Sequence, residues 1–121
     1  QHSLTLQKLE SPLYLYGWGV TTFDAQYTLQ DIVHTKSSGI DGKGNYSRLS
    51  DAKIDQLVQA MKVETDVAKR NAQMREALLR VRDEFLFVPL HHQVRPWAMR
   101  SNVETIHMAN DAPQMRLTTV K

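Results

Sequence analysis

An apolar stripe at helical spacing is the feature that most constrains the fold of this chain. Four apolar residues recur at i, i+3, i+4 and i+7, which places them on one face of a helix: Ile54, Leu57, Val58 and Met61. Ser50 precedes this stripe and is a favourable N-cap residue, so the pattern predicts a helix over 51–62. The apolar face of such a helix has to be buried against another element.

Two further segments have helical signals. Asp24 predicts the N-cap of a helix over 25–34, whose buried side would come from Tyr27, Ile32 and Val33. Asp66 opens a third helix over 67–84. The apolar stripe of this third helix has five members, with Asn71 as a polar interruption: Val67, Met74, Leu78, Val81 and Phe85.

The remaining apolar segments have the composition of strands. The predicted strands are 13–18, 85–94, 103–108 and 115–120, with a continuation over 97–100 beyond Pro96 and a short edge strand around Leu4 and Leu6. Residues 36–46 are predicted to form a loop, and residues 110–113 a turn. The order strand, three helices, strands favours a mixed α/β (α+β) fold, with three helices packed on a small mixed sheet.

The composition excludes several function classes. The chain has no Cys among its 121 residues, so disulfides, thiolate catalysis and Cys-ligated metals are excluded. Its formal net charge is +2, from 15 basic and 13 acidic residues, which is too weak to predict nucleic acid as a partner. The chain begins with Gln1, and we interpret it as a processed or excised piece of a longer protein.

Histidine and aspartate offer the candidates for catalysis or metal binding. His91 and His92 are adjacent, and neighbours on a strand point to opposite faces, so the pair does not readily bind one metal ion. No nucleophile-elbow or P-loop motif is present, and we predict no metal and no cofactor. A hydrolase-type enzyme that uses Asp24 with His91 or His92 stays an alternative, as does a stand-alone interaction module with a basic face.

Trp18 is the most informative residue for binding. It lies between Gly17 and Gly19 at the end of a predicted strand. Its indole N–H needs a hydrogen-bond partner, and its broad face suits either the wall of a pocket or the closure of a core. The residues therefore favour a binding protein over an enzyme.

Four segments, taken in order, resemble the C-terminal part of the extracytoplasmic solute-binding proteins of ABC transporters, in the peptide, opine and nickel family. The segments are YGWGVTTFDAQYTL, GKGNYSRLSDAKIDQLVQAMKVETDVAKR, ALLRVRDEFLFVPLHHQVRPWAMR, and NVETI followed by APQMRLTTV. The resemblance spans about Leu13 to Val120. It implies a poorly matched N-terminal extension over 1–12 and a C-terminal lobe fragment over 13–121.

The resemblance also implies a function. Complete members of this family have two lobes that close on a solute and deliver it to a membrane permease. This chain would be part of the second lobe, and its partners would be the solute, the permease and the missing N-terminal lobe. The implied location is the periplasm, or the outer face of the membrane with an anchor in a Gram-positive. The solute would be a peptide or another small organic molecule.

The residues expected to bind the solute follow from these matches. In peptide-binding members an Asp after the Gly-Trp passage pairs with the ammonium group of the peptide, and Thr21 occupies the matching position here. A hydroxyl group carries no charge, so this contact with a free peptide is in doubt. The predicted ligand-binding residues are Trp18, Thr21, Thr22, Asn45, Tyr46 and His92, with His91 beside the last of them.

Overall fold

The computed structural model describes Lys8, residues 13–108 and residues 112–121, and these residues adopt a mixed α+β fold. They contain three α-helices and two short strands: α1 (Ala25–Thr28), α2 (Ala52–Val63), α3 (Val67–Asp83), β1 (Val103–Glu104) and β2 (Thr119–Val120). The chain divides into two compact units, Gln1–Val88 with the helices and Pro89–Lys121 with the strands. The predicted mixture of helices and strands is confirmed, but the described strands form an antiparallel pair and not a mixed sheet.

The hydrophobic core lies in the first unit. Eight buried apolar side chains form it: Leu29, Ile32, Val33, Ile54, Leu57, Val58, Met61 and Ala77. All four members of the predicted α2 stripe are among them, so that prediction is confirmed. Tyr16, Trp18 and Met74 are partly buried and pack against this core.

Helix α1 continues into a π-helical turn, Leu29–Val33. The His34 backbone N–H donates to the Leu29 carbonyl at 2.8 Å, which is the i→i+5 bond of that geometry. The prediction of a helix over 25–34 is thus confirmed to within a residue. Tyr27 is 44% exposed and is not part of the buried face, whereas Leu29 is fully buried.

Helix α2 is capped by Asp51 and not by Ser50, so the predicted cap was wrong. The Asp51 carboxylate accepts hydrogen bonds from the backbone N–H groups of Lys53 at 2.9 Å and Ile54 at 3.1 Å. Arg80 of α3 donates to the same carboxylate at 2.6 Å. Burial favours the neutral acid, but the hydrogen bonds from Arg80 and the backbone outweigh it and lower the pKa of Asp51.

The buried face of α3 differs from the predicted stripe. Ala77 is its one buried residue among those described, whereas Val67, Leu78 and Phe85 are 71%, 44% and 83% exposed. Phe85 has a positive φ of 52°. Its N–H donates to the Arg82 carbonyl, and the Leu86 N–H donates to the Val81 carbonyl, so the helix ends in a Schellman motif.

This ending explains why no strand starts at Phe85. A left-handed residue turns the chain sharply, and a strand needs extended backbone instead. Residues 86–100 contain no described strand, so the predicted strands over 85–94 and 97–100 were wrong. The prediction of a strand over 13–18 was also wrong, because no described residue pairs with this segment in a sheet.

The second unit contains the antiparallel pair β1 and β2, with Val103 opposite Val120 and Glu104 opposite Thr119. An isolated bridge joins His107 to Pro113. The predicted strands over 103–108 and 115–120 are therefore confirmed in part, since a 3₁₀ turn replaces the start of the second. The predicted strand around Leu4 and Leu6, and the first half of the turn over 110–113, lie outside the described residues.

Candidate functional site

Trp18 is held by a stack of aromatic rings. Its ring stacks on Tyr27, with centroids 5.5 Å apart and planes 18° apart, and on Tyr16 at 6.1 Å and 27°. Its indole N–H donates to the Thr28 hydroxyl oxygen at 3.1 Å. The expected partner of the indole is therefore a side chain of α1, and this hydrogen bond and the stacked rings fix the indole in place.

The aromatic stack reaches the loop that carries Asn45 and Tyr46. The Tyr46 ring meets Tyr16 edge to face, with centroids 5.6 Å apart and planes 89° apart. Burial raises the pKa of the Tyr16 hydroxyl, and the neighbouring phenol group of Tyr46 and the Asp31 carboxylate raise it further. Through Tyr16, the fold brings Trp18 and Tyr46 into one aromatic cluster, which we define as Tyr14, Tyr16, Trp18, Tyr27 and Tyr46.

Thr21 and Thr22 lie in an exposed turn between the aromatic segment and α1. The Thr22 hydroxyl oxygen accepts the Asp24 backbone N–H at 3.4 Å. Thr22 and Tyr27 line a cavity of about 230 Å³ together with Gln30 and the start of α1. A hydroxyl group, an amide and an aromatic ring thus face one small cavity.

Asp24 is engaged as a helix cap, as predicted. Its carboxylate accepts the Gln26 backbone N–H at 2.8 Å and the Arg70 guanidinium at 2.8 Å. The backbone hydrogen bond, followed by the Arg70 contact, outweighs burial and lowers the pKa of Asp24. The carboxylate is consequently ionised at neutral pH and tied to α3, which is a structural role.

A larger groove that the sequence did not predict lies between the start of α1 and α3. Its volume is about 560 Å³, and nine residues line it: Phe23, Asp24, Ala25, Arg70, Asn71, Met74, Arg75, Leu78 and Leu79. Phe23 lies at the edge of this groove, has a φ of 55° and is 70% exposed. The sequence signal for this groove was Asn71, the polar interruption in the predicted apolar stripe.

Asn45 is 1% exposed and orders its own loop. Its amide N–H₂ donates to the carbonyl groups of His34 at 2.9 Å and Leu49 at 2.8 Å, and its oxygen accepts the Leu49 N–H at 3.0 Å. Both amide protons are therefore in use. A ligand contact at Asn45 stays a prediction, and the observed geometry is that of a loop-ordering residue.

Asp41 fixes the other end of this loop. Its carboxylate accepts hydrogen bonds from Lys62 at 2.7 Å, from Gln59 at 2.8 Å and from Gln30 at 2.8 Å. Burial favours the neutral acid, but these hydrogen bonds and the Lys62 charge outweigh it and lower the pKa of Asp41 to about 2. Gln59 also donates to His34 Nε2 at 3.2 Å.

His91 and His92 lie in the second unit, in exposed chain without strand structure. The predicted placement of the two His side chains on opposite faces of a strand was therefore wrong, because described residues 86–100 contain no strand. Trp97 and His107, in the same unit, have ring centroids 5.7 Å apart. His92 as a ligand contact stays a prediction, and the other five predicted site residues all belong to the first unit.

No group of three or more His, Asp or Glu side chains in the described part of the chain is placed to hold a metal ion. No described helix is long and apolar enough to cross a membrane.

Comparison of the chain with known protein families, with curated proteins and with solved structures finds no match.

Proposed function

We propose that this chain is part of the second lobe of an extracytoplasmic solute-binding protein of an ABC importer. The whole protein captures a peptide-like or other small organic solute between two lobes and delivers it to a permease, without catalysis. It acts in the periplasm, or at the outer face of a Gram-positive membrane. The observation that carries this proposal is the ordered resemblance of four segments to that family, from about Leu13 to Val120.

The arrangement around Trp18 supports a binding role. The indole stacks with two aromatic rings and donates a hydrogen bond to the Thr28 hydroxyl. The exposed hydroxyl groups of Thr21 and Thr22 follow it in the chain. Rigid aromatic surface beside a few polar groups is the usual lining of small-molecule sites.

Exposed apolar surface supports the proposal that a further lobe of the protein covers this chain. Eight apolar residues are buried in the described structure, whereas nineteen large apolar residues are exposed. Leu13, Phe85 and Val94 are each more than four-fifths exposed. Apolar surface on this scale is typical of a face that another part of the protein covers.

Thr21 restricts the chemical class of the solute. The peptide-binding members place a carboxylate at the matching position, and Thr21 offers a neutral hydroxyl group. The solute we propose therefore has no free ammonium group at this contact.

Calorimetric titration of the full-length protein tests the proposal. The panel consists of a free dipeptide, an N-acetylated dipeptide, an opine, a sugar and Ni²⁺. We expect saturable binding of one organic member, with the N-acetylated dipeptide preferred over the free one. Trp18→Ala should weaken that binding at least about tenfold, because the aromatic wall is lost.

Trp97→Ala is the matched control, since Trp97 belongs to the second unit and is 47% exposed. It should leave the affinity within about twofold of the unchanged protein. Chromatography of the solute after incubation completes the test. Conversion of the solute into product would contradict the proposal, and so would equal effects of the two Trp substitutions.

A further inference from the structure

The groove between the start of α1 and α3 is lined by one stripe of α3. Four residues of the helix stand at i, i+3, i+4 and i+7 and all line the groove: Asn71, Met74, Arg75 and Leu78. Met74 is partly buried against the core, and Leu78 is 44% exposed. The stripe thus combines an apolar floor with an amide and a guanidinium group.

The charged groups that line the groove are positive on balance. They are the guanidinium groups of Arg70 and Arg75 and the carboxylate of Asp24. Arg70 Nη2 donates to Asp24 Oδ2 at 2.8 Å and to Gln26 Oε1 at 2.6 Å. Because Asp24 balances the charge of Arg70, the remaining positive charge of the groove is that of Arg75.

Phe23 supplies an aromatic ring at the edge of the groove. Its φ of 55° is a left-handed conformation that a bulky residue rarely adopts, and the residue is 70% exposed. Asp24, the next residue, is held by the Gln26 backbone N–H and by Arg70. Strained residues that their surroundings hold in place cluster at ligand sites. The ring suits contact with the apolar part of a ligand.

We propose that this groove binds a small organic carboxylate with an apolar body. Arg75 pairs with the carboxylate, because a planar guanidinium group matches its two oxygens with two parallel hydrogen bonds. The amide of Asn71, one turn earlier on the same face, donates a further hydrogen bond to the carboxylate.

The apolar body of the ligand lies on Met74 and Leu78 and against the ring of Phe23. A Met side chain is flexible and adapts to the shape of what it contacts. The groove volume of about 560 Å³ is in the range of small-molecule sites. The proposal does not depend on the proposed transport function, because the lining of the groove includes none of the six predicted solute-binding residues.

Titration of the 121-residue chain with octanoate, followed by NMR of the backbone amides, tests this inference. Octanamide has the same apolar chain without the charge, and acetate has the charge without the chain. We expect saturable binding of octanoate, with both comparison ligands at least about tenfold weaker. The largest amide shifts should lie in residues 23–25 and 70–79, which contain the groove lining.

Arg75→Gln should weaken octanoate binding at least about tenfold, because the charge-assisted pair is lost. It should also reduce the preference for octanoate over octanamide to less than about threefold, which a general loss of structure would not do. Arg82→Gln is the matched control, since Arg82 lies on α3 outside the groove and its side chain is 71% exposed. It should change the affinity for octanoate less than about twofold.

Three results would overturn the proposal. They are no saturation up to about 20 mM octanoate, equal affinities for octanoate and octanamide, and equal effects of the two Arg substitutions. Sedimentation at the concentration of the NMR samples tests a different occupant. A dimer that Arg75→Gln dissociates would make the groove an interface between copies of the chain, and it would overturn the proposal as well.

Discussion

At the scale of single residues, two polar side chains hold the loop between α1 and α2, of which Asn45 is buried and Asp41 is partly buried. Asn45 uses both amide protons and its oxygen on backbone groups, and Asp41 collects the side chains of Lys62, Gln59 and Gln30. Asn45 satisfies backbone groups of the loop, whereas Asp41 ties the loop to side chains of α2 and of the π-helical turn. The loop is therefore stabilised by specific residues, and their removal has measurable consequences.

Replacement of Asn45 should destabilise the first unit. Asn45→Ala leaves the His34 and Leu49 backbone groups without partners, and we expect a loss of about 2–3 kcal/mol in the free energy of unfolding. Urea denaturation followed by Trp fluorescence measures it. Asn71→Ala is the control, because Asn71 is exposed, and it should change stability by less than about 0.5 kcal/mol. Equal losses for the two variants would contradict this role.

The lowered pKa of Asp41 should make the free energy of unfolding depend on pH. Its pKa is lowered from an ordinary 3.8 to about 2 in the folded chain. A lowered folded pKa means that the stabilisation is complete well above pH 3.8 and is lost as the pH falls through about 2. The side chain is 15% exposed, and the shift corresponds to about 2 kcal/mol.

Urea denaturation of Asp41→Asn from neutral pH to pH 2 measures this contribution. The deficit against the unchanged chain should be about 2 kcal/mol at neutral pH and should shrink as the acid is protonated. Asp83→Asn is the control, since the Asp83 side chain is 60% exposed. A deficit that stays constant with pH would refute the assignment to Asp41.

At the scale of elements, the ends of the helices and turns determine where each segment goes. Phe85 ends α3 in a left-handed conformation, and Gly42 turns the loop with a φ of 68°. The Gly42 N–H donates to the Gln30 carbonyl at 2.8 Å, which docks the loop on the end of α1 and its π-helical turn. Glycine is required there, since the backbone conformation and the space both exclude a side chain.

Gly42→Ala should therefore destabilise the folded chain. The new Cβ would lie 2.5 Å from the His34 carbonyl oxygen and 2.6 Å from Lys36 Cα. We expect a loss of more than about 2 kcal/mol in thermal or urea unfolding, from strain and displacement of the loop. Gly39→Ala in the same loop meets only the Ser37 hydroxyl at 3.6 Å and should be neutral or slightly stabilising. A neutral Gly42→Ala would disprove the close approach.

At the scale of the whole molecule, stability is unevenly divided between the two units. All the buried apolar residues among those described belong to the first unit, and the second has a two-residue strand pair. Local stability follows buried apolar contact and protected backbone bonds. The two units should therefore differ sharply in their free energies of local unfolding.

Hydrogen exchange measured by mass spectrometry tests this division. Amides of α2 and α3 should exchange slowest, and amides of residues 90–94 should exchange at nearly unprotected rates. Within the second unit, the Val103 and Lys121 N–H groups are hydrogen-bonded to backbone carbonyls and should be moderately slower. Slow exchange across residues 90–94 would contradict a core confined to the first unit.

The amino-acid sequence alone determined the three helices and the buried face of α2, because periodicity and capping are local properties. The cap at Asp24, the loop over 36–46 and the need of Trp18 for a polar partner were also predictable for that reason. The tertiary structure decided the rest. The tertiary structure selected Asp51 and not Ser50 as the N-cap of α2, because Asp51 also forms an ion pair with Arg80. It also limited the buried face of α3 to the part that packs against α2.

Strand pairing depended on tertiary structure most of all. The segment 13–18 and the segment after Phe85 have the composition of strands, but a strand exists only when a neighbour completes its hydrogen bonds. The groove beside Arg70 likewise arises from residues distant in the chain. Local patterns therefore predicted which segments are helical, whereas long-range contacts determined which extended segments pair as strands among the described residues.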